Sequence, residues 1–210
     1  MLAERVREWV GSEPVTLVGF SLGGAMALRL AGHLGDRVAV IDLIAPAAPL
    51  TLGNFLPDMA GGALFTLARD HPRLFAIATR GQELAARFVP GLLAKALLGD
   101  TRGGDVELAR DPAFRALLCA ILGQTFAAGG KGYRAEIAAY VADWQVQLDA
   151  VTQPVTIWQG DQDNWVPPDM AKELTARLGA HARLELLSGL SHYSALQWYL
   201  RRFSPGDNQP

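Results

Sequence analysis

Apolar positions return along the chain in several distinct rhythms. Leu2, Val6, Trp9 and Val10 recur at helical spacing among Glu4, Arg5, Arg7 and Glu8, which predicts an amphipathic helix with those four on one face. Gly11-Ser12-Glu13-Pro14 ends it. Val15–Phe20 is a short, nearly unbroken apolar run, the pattern of a buried parallel strand. Ser21-Leu22-Gly23-Gly24 is expected to turn the chain. Met26, Leu30 and Leu34 then fall in line and predict a helix over residues 25–34, stopped by Gly35. Val38–Ile44 reads as a second buried strand, ended by Ala45-Pro46.

The middle of the chain changes character. From residue 51 to about 147 no convincing strand occurs, and apolar helical segments alternate with Gly and Pro punctuation such as His71-Pro72, Pro90-Gly91 and Asp111-Pro112. Residues 99–105 read as an exposed loop. The alternation then resumes: a strand over 154–159, a helix over 167–178, a strand at Ala182–Leu187, a helix over 193–203 and a frayed tail from Ser204. The whole is α/β: a parallel sheet of about four strands with right-handed crossovers, interrupted by an all-helical insertion. The expected partition is core over 1–50, insertion over 51–147 and core again over 148–210.

Composition narrows the function classes. Half of the 210 residues are apolar, enough for one good core and a subdomain. Lys and Arg number 19 against 21 Asp and Glu, a net charge of −2 with no basic block, which argues against a nucleic-acid partner. Cys119 is the single cysteine, so no disulfide forms within the chain. It is expected as a small buried core residue. The N-terminus lacks the apolar h-region of a signal peptide, and the uncharged stretches 43–57 and 116–130 are too short for a membrane span. A cytoplasmic protein is expected.

The candidate chemistry starts at Gly19-Phe20-Ser21-Leu22-Gly23, a match to G-x-S-x-G. In this pattern a serine sits on a sharp turn between a strand and a helix. Glycines two before and two after are expected to keep Cβ atoms from colliding, and the hydroxyl is exposed at the strand's C-terminal end. The helix start presents its amides there, which makes the Leu22 N–H a candidate oxyanion donor. With 22 glycines in the chain a chance match is not negligible, so the placement between strand and helix carries the reading.

A serine hydroxyl needs a base. Of His33, His71, His181 and His192, only His192 follows a strand, and sites in open parallel sheets collect at the C-terminal strand ends. The base needs an orienting carboxylate. Gly160-Asp161-Gln162-Asp163 follows the preceding strand and offers Asp163, which reaches further along the loop, and Asp161, which sits at the strand end and shapes the turn. Asp163 is preferred.

These segments together resemble the α/β-hydrolase superfamily, whose triads run Ser, Asp, His along the chain. "GFSLGG" is similar to the elbow of esterase-like and haloperoxidase-like members. "PVTIWQGDQDNWVP" resembles the acid loop, in which the acid stands four residues before the Val-Pro proline, and so implies Asp163. "SGLSHYSAL" resembles the histidine loop and implies His192. The insertion falls where members carry a helical cap. The resemblance implies a serine hydrolase that cleaves an ester-type carbonyl through an acyl-enzyme. No metal cluster, dinucleotide fingerprint or P-loop is present, so no cofactor or metal is expected. Phe65, Phe75, Phe88 and Phe126 are expected mainly to pack the cap, with some lining an apolar substrate pocket. Trp165 either faces substrate or packs under its loop. A C–C hydrolase, amidase or thioesterase would use the same triad, whereas epoxide hydrolases and dehalogenases put Asp where Ser21 stands.

One departure stands out. Members usually carry about four strands before the nucleophile strand, and the loop that supplies the second oxyanion N–H lies among them. Three explanations stay open: a truncated chain, which is preferred, completion by a partner or second copy, and a reduced fold. An edge strand as apolar as Val15–Phe20 would be sticky in water, which suits self-association. An inactive binding or interaction module is the alternative to an enzyme.

Overall fold

The computed structural model describes residues 2–127 and 129–203. The tail expected to fray from Ser204 lies outside them. In chain order the described elements are α1 (Leu2–Val10), β1 (Val15–Phe20), α2 (Leu22–Leu34), β2 (Val38–Ile44), α3 (Gly62–Asp70), α4 (Pro72–Phe88), α5 (Pro90–Leu97), α6 (Asp105–Arg110), α7 (Pro112–Phe126), α8 (Lys131–Val141), β3 (Val155–Gly160), α9 (Pro168–Leu178), β4 (Ala182–Leu187) and α10 (His192–Phe203).

The four strands form one all-parallel sheet in the order β1-β2-β3-β4. Gly19 lies beside Leu43, Leu43 beside Ile157 and Ile157 beside Leu184, so all C-terminal ends open on one rim. Side chains alternate across the sheet. Ile41, Leu43, Val155 and Ile157 are buried with Leu28 and Ala31 of α2 and with Met170 and Leu174 of α9. On the other face Phe20, Ile44, Trp158 and Leu187 pack with Ala195, Trp198 and Tyr199 of α10. The Tyr199 hydroxyl donates to Asp42 on β2 (2.8 Å), which anchors the far end of α10 to the sheet.

β1 is an edge strand. Its inward positions meet α2, but Val18 remains 54% exposed. The apolar edge expected from the sequence is therefore open. Of the face expected on α1, Val6 packs on the core while Trp9 is 91% exposed. Polar contacts add to this: Arg7 reaches the His33 carbonyl of α2, and past the two helices Arg37 donates to the Gly11 carbonyl (2.7 Å).

The segment between β2 and β3 is helical, as its punctuation suggests. Proline opens α4, α5 and α7, where its missing N–H is harmless, and Asp111 caps α7 by accepting from the Ala113 N–H (2.9 Å). Two packing units result. Phe65, Phe75, Ile137 and Tyr140 of α3, α4 and α8 continue the main core. Ala94, Leu98 and Leu118, at α5 and α7, form a separate small cluster joined by Phe114, Cys119 and Tyr193.

Several local expectations change. α2 begins at Leu22, not at residue 25, because Ser21 alone makes the turn. Phe88 is 69% exposed, with the Arg87 guanidinium over its ring, while Phe65, Phe75 and Phe126 are buried. Cys119 is half-buried. The loop read as exposed ends on Asp105, which is 1% exposed. Among the described residues no single helix is long and apolar enough to cross a membrane.

Candidate active site

The rim at the C-terminal strand ends gathers the candidate residues. Ser21 stands between β1 and α2 with φ 55° and ψ −124°, a conformation non-glycine residues rarely adopt. Backbone hydrogen bonds hold it there. Its N–H donates to the Ile44 carbonyl (3.0 Å), and its carbonyl accepts from Gly24 (2.9 Å) and Ala47 (3.0 Å). A Cβ on Gly19 would stand 2.7 Å from the Gly23 carbonyl oxygen and from the Gly24 Cα, so the close approach of β1 and α2 requires glycine at 19. The matching steric role expected of Gly23 falls to Gly24 instead: a Cβ on Gly23 meets nothing within 4 Å, whereas one on Gly24 would lie 2.8 Å from Pro46 Cβ. Leu22 is the first residue of α2, so its N–H has no acceptor within the helix.

The acid loop follows β3. Asp163 is 4% exposed, and its carboxylate is held from several sides. Oδ1 accepts from the N–H groups of Trp165 (2.8 Å) and Val166 (2.9 Å), and Oδ2 from the Gln159 amide (3.2 Å). Oδ2 also meets Nδ1 of His192 at 2.9 Å. A carboxylate only accepts, so Nδ1 carries the proton and Nε2 is left to accept from the Ser21 hydroxyl at 3.1 Å. Asp161 turns elsewhere: its Oδ1 accepts from the Gly189 N–H (2.8 Å) and shapes the histidine loop.

The acid and histidine loops touch directly. Asp161 and Gln162 donate to the Leu187 (3.2 Å) and Leu190 (2.9 Å) carbonyls. A Cβ on Gly160 would sit 2.5 Å from the Leu190 oxygen, so this contact also requires glycine. Around the His192 ring stand Phe20 (centroids 4.6 Å), Tyr193 (5.3 Å) and Trp165 (6.3 Å), which shield it from water. Burial, then the charges of Asp105 and Asp163, push the Tyr193 hydroxyl up to about 12. Among the described residues no group of three or more His, Cys, Asp or Glu side chains is placed to hold a metal ion.

Ser21, Asp163 and His192, singled out from the sequence, thus lie in one hydrogen-bonded line, with Leu22 at its start. Sequence reasoning missed Gln159, whose only signal was a polar residue in an apolar strand. It also missed Asp105 and Asn164, whose partners lie far away in sequence.

Known structures share this arrangement of elements. A bromoperoxidase from Bacillus anthracis superposes with a TM-score of 0.62 at 20% identity, over 95% of this chain and 67% of that one. A thermophilic esterase from Thermogutta terrifontis gives 0.62 at 19% identity, over 96% and 70%. An enol-lactonase from Burkholderia xenovorans gives 0.58 at 21% identity, over 89% and 61%. The chain thus spans 61% to 70% of the length of these structures. No curated protein sequence matches it. The profile of the alpha/beta hydrolase fold matches residues 1–197. The chain therefore belongs to the alpha/beta hydrolase fold family.

Proposed function

We propose that this chain carries the catalytic residues of a serine hydrolase acting on an ester-type carbonyl of a small, apolar substrate. The single observation that carries the reading is the continuous line from Ser21 Oγ through His192 to Asp163, 3.1 Å and 2.9 Å long in its two links. Ser21 attacks the carbonyl carbon. His192 Nε2 takes the hydroxyl proton and later hands it to the leaving alcohol. Asp163 keeps the ring in the tautomer that makes this transfer available and stabilises the imidazolium. The Leu22 N–H receives the developing oxyanion. Water, activated by His192 in turn, hydrolyses the acyl-enzyme and regenerates Ser21. The segment over 51–147 acts as a cap between the two core segments, and the Phe20 and Trp165 rings beside His192 favour an apolar substrate. That proteins of this fold include an esterase and an enol-lactonase supports the choice of carbonyl.

The test is turnover of p-nitrophenyl esters of increasing acyl length by the wild type and by Ser21→Ala. Wild-type turnover reduced by on the order of 10⁶-fold in the variant supports the reading. Equal turnover by both proteins overturns it. The open β1 edge favours a second, compatible reading, pairing with another copy through that strand. Light scattering of a clean monomer at high concentration would remove it.

A further inference from the structure

The first turn of α10 is capped from a distant part of the chain. A helix leaves its first N–H groups without internal acceptors, and the residue before it normally supplies one from its side chain. Ser191 holds that position, yet its Oγ donates to the Gln162 carbonyl (3.2 Å) instead. The N–H groups of Tyr193 and Ser194 donate to Asp105 Oδ2 (3.0 Å) and Oδ1 (2.7 Å), across 88 and 89 residues. These are the two residues that follow His192. Asp105 is 1% exposed, and among the described residues no Lys or Arg pairs with it. Its charge instead faces the positive end of the 12-residue α10.

The loop that carries Asp105 is itself seated on both catalytic loops. The Gly104 N–H donates to the Gly189 carbonyl (2.9 Å), and a Cβ on Gly104 would stand 2.8 Å from Ser194 Cβ. Three residues earlier than Gly103, Asp100 accepts from the Asn164 amide at its carbonyl (2.6 Å) and its Oδ2 (3.0 Å), and Asn164 is the neighbour of Asp163. The Tyr193 ring reaches into the cluster of α5 and α7, edge-on to Phe114 at 5.5 Å.

Resting on the proposed triad, we infer that Asp105 is a positioning residue: by pinning the two amides after His192 it sets the imidazole between Ser21 and Asp163. It touches neither the reacting serine nor the ring. Its effect passes through the backbone of one helical turn, so the helical insertion and the base are mechanically coupled.

The test compares wild type, Asp105→Ala and Asp105→Asn in the full chain. Asparagine keeps the shape and an acceptor oxygen, whereas alanine removes both. The readouts are thermal unfolding, kcat and KM for a p-nitrophenyl ester, and the NMR resonance of the His192 Nδ1 proton, assigned by its loss in His192→Ala. In folded Asp105→Ala the expected result is a kcat lower by on the order of 100-fold, with KM changed by less than about threefold, and a Nδ1 proton that exchanges away. Asp105→Asn is expected to restore the resonance and to bring kcat back within about tenfold of wild type. If the alanine variant does not fold, Asp105→Ser replaces it, being polar but too short to span both amides. A folded variant with a lower melting temperature but wild-type kcat and an unchanged resonance overturns the inference. So does a wild type with no such resonance. Wild type without ester turnover but with a resonance lost in the alanine variant upholds the positioning role and sinks the proposed reaction.

Discussion

The acid and histidine side of the rim and its nucleophile side are built differently. At the ends of β3 and β4 the two loops close on each other, through Gln162 on Leu190, Gly189 on Asp161 and the tight seat of Gly160. Asp163 and His192 are both buried there. At the end of β1, Ser21 is held by its own strained turn and by backbone from the end of β2, while the outer edge of β1 lies open with Val18 half exposed. One side completes itself from its own sequence. The other leaves β1 at the sheet edge among the described residues.

The largest effect expected from breaking the closed side comes from its acid. Asp163→Asn should lower kcat by on the order of 10⁴-fold, because the amide favours the wrong tautomer of His192. Asp161→Asn should stay within about tenfold of wild type, since Asp161 meets Gly189 and not the ring. Steady-state ester hydrolysis by the two variants checks this, and equal losses would refute the assignment.

Next come the glycines. Gly160→Ala forces a methyl against the Leu190 carbonyl, and a loss of about 1–3 kcal/mol in urea unfolding is expected. Gly23→Ala on the open side meets nothing, and its alanine suits the first turn of α2, so stability should hold or rise slightly. A smaller effect belongs to pH. The Tyr193 hydroxyl ionises at about 12 when folded, against its ordinary 10, so the unfolded chain loses the proton first. Its contribution to stability is full below pH 10 and is lost as the pH climbs from 10 to 12. Urea unfolding at pH 9 and 11 should show a shallower decline for Tyr193→Phe. The smallest effect is at the edge. Val18→Lys should change stability by less than about 0.5 kcal/mol while suppressing any self-association seen by light scattering.

The difference between the two sides also explains what was legible beforehand. β1 and β2 announce themselves as apolar runs and β4 as an alternation of apolar residues with Arg183 and Glu185, so all three are found at their observed bounds from local pattern alone. Ser21, Asp163 and His192 follow because each comes in the connection after a strand, and the sheet's parallel order then puts those connections together. What escaped is what local pattern does not encode. The spacing of apolar residues starts α2 three residues late, because a single strained serine makes the turn. Residues 99, 100, 102 and 103 are exposed as read, but Asp105 at the end of that loop is buried because its carboxylate meets amides 88 and 89 positions away. Phe88 and Trp9 carry core-type side chains that the tertiary structure leaves outside.

The most direct measurement is fluorophosphonate labelling of the purified chain, mapped by peptide mass, with His192→Ala alongside. Covalent label on Ser21 of the wild type, lost in the variant, is the expected result. A folded wild type that takes no label at Ser21, or a variant labelled equally fast, would contradict the catalytic line on which the proposed function rests.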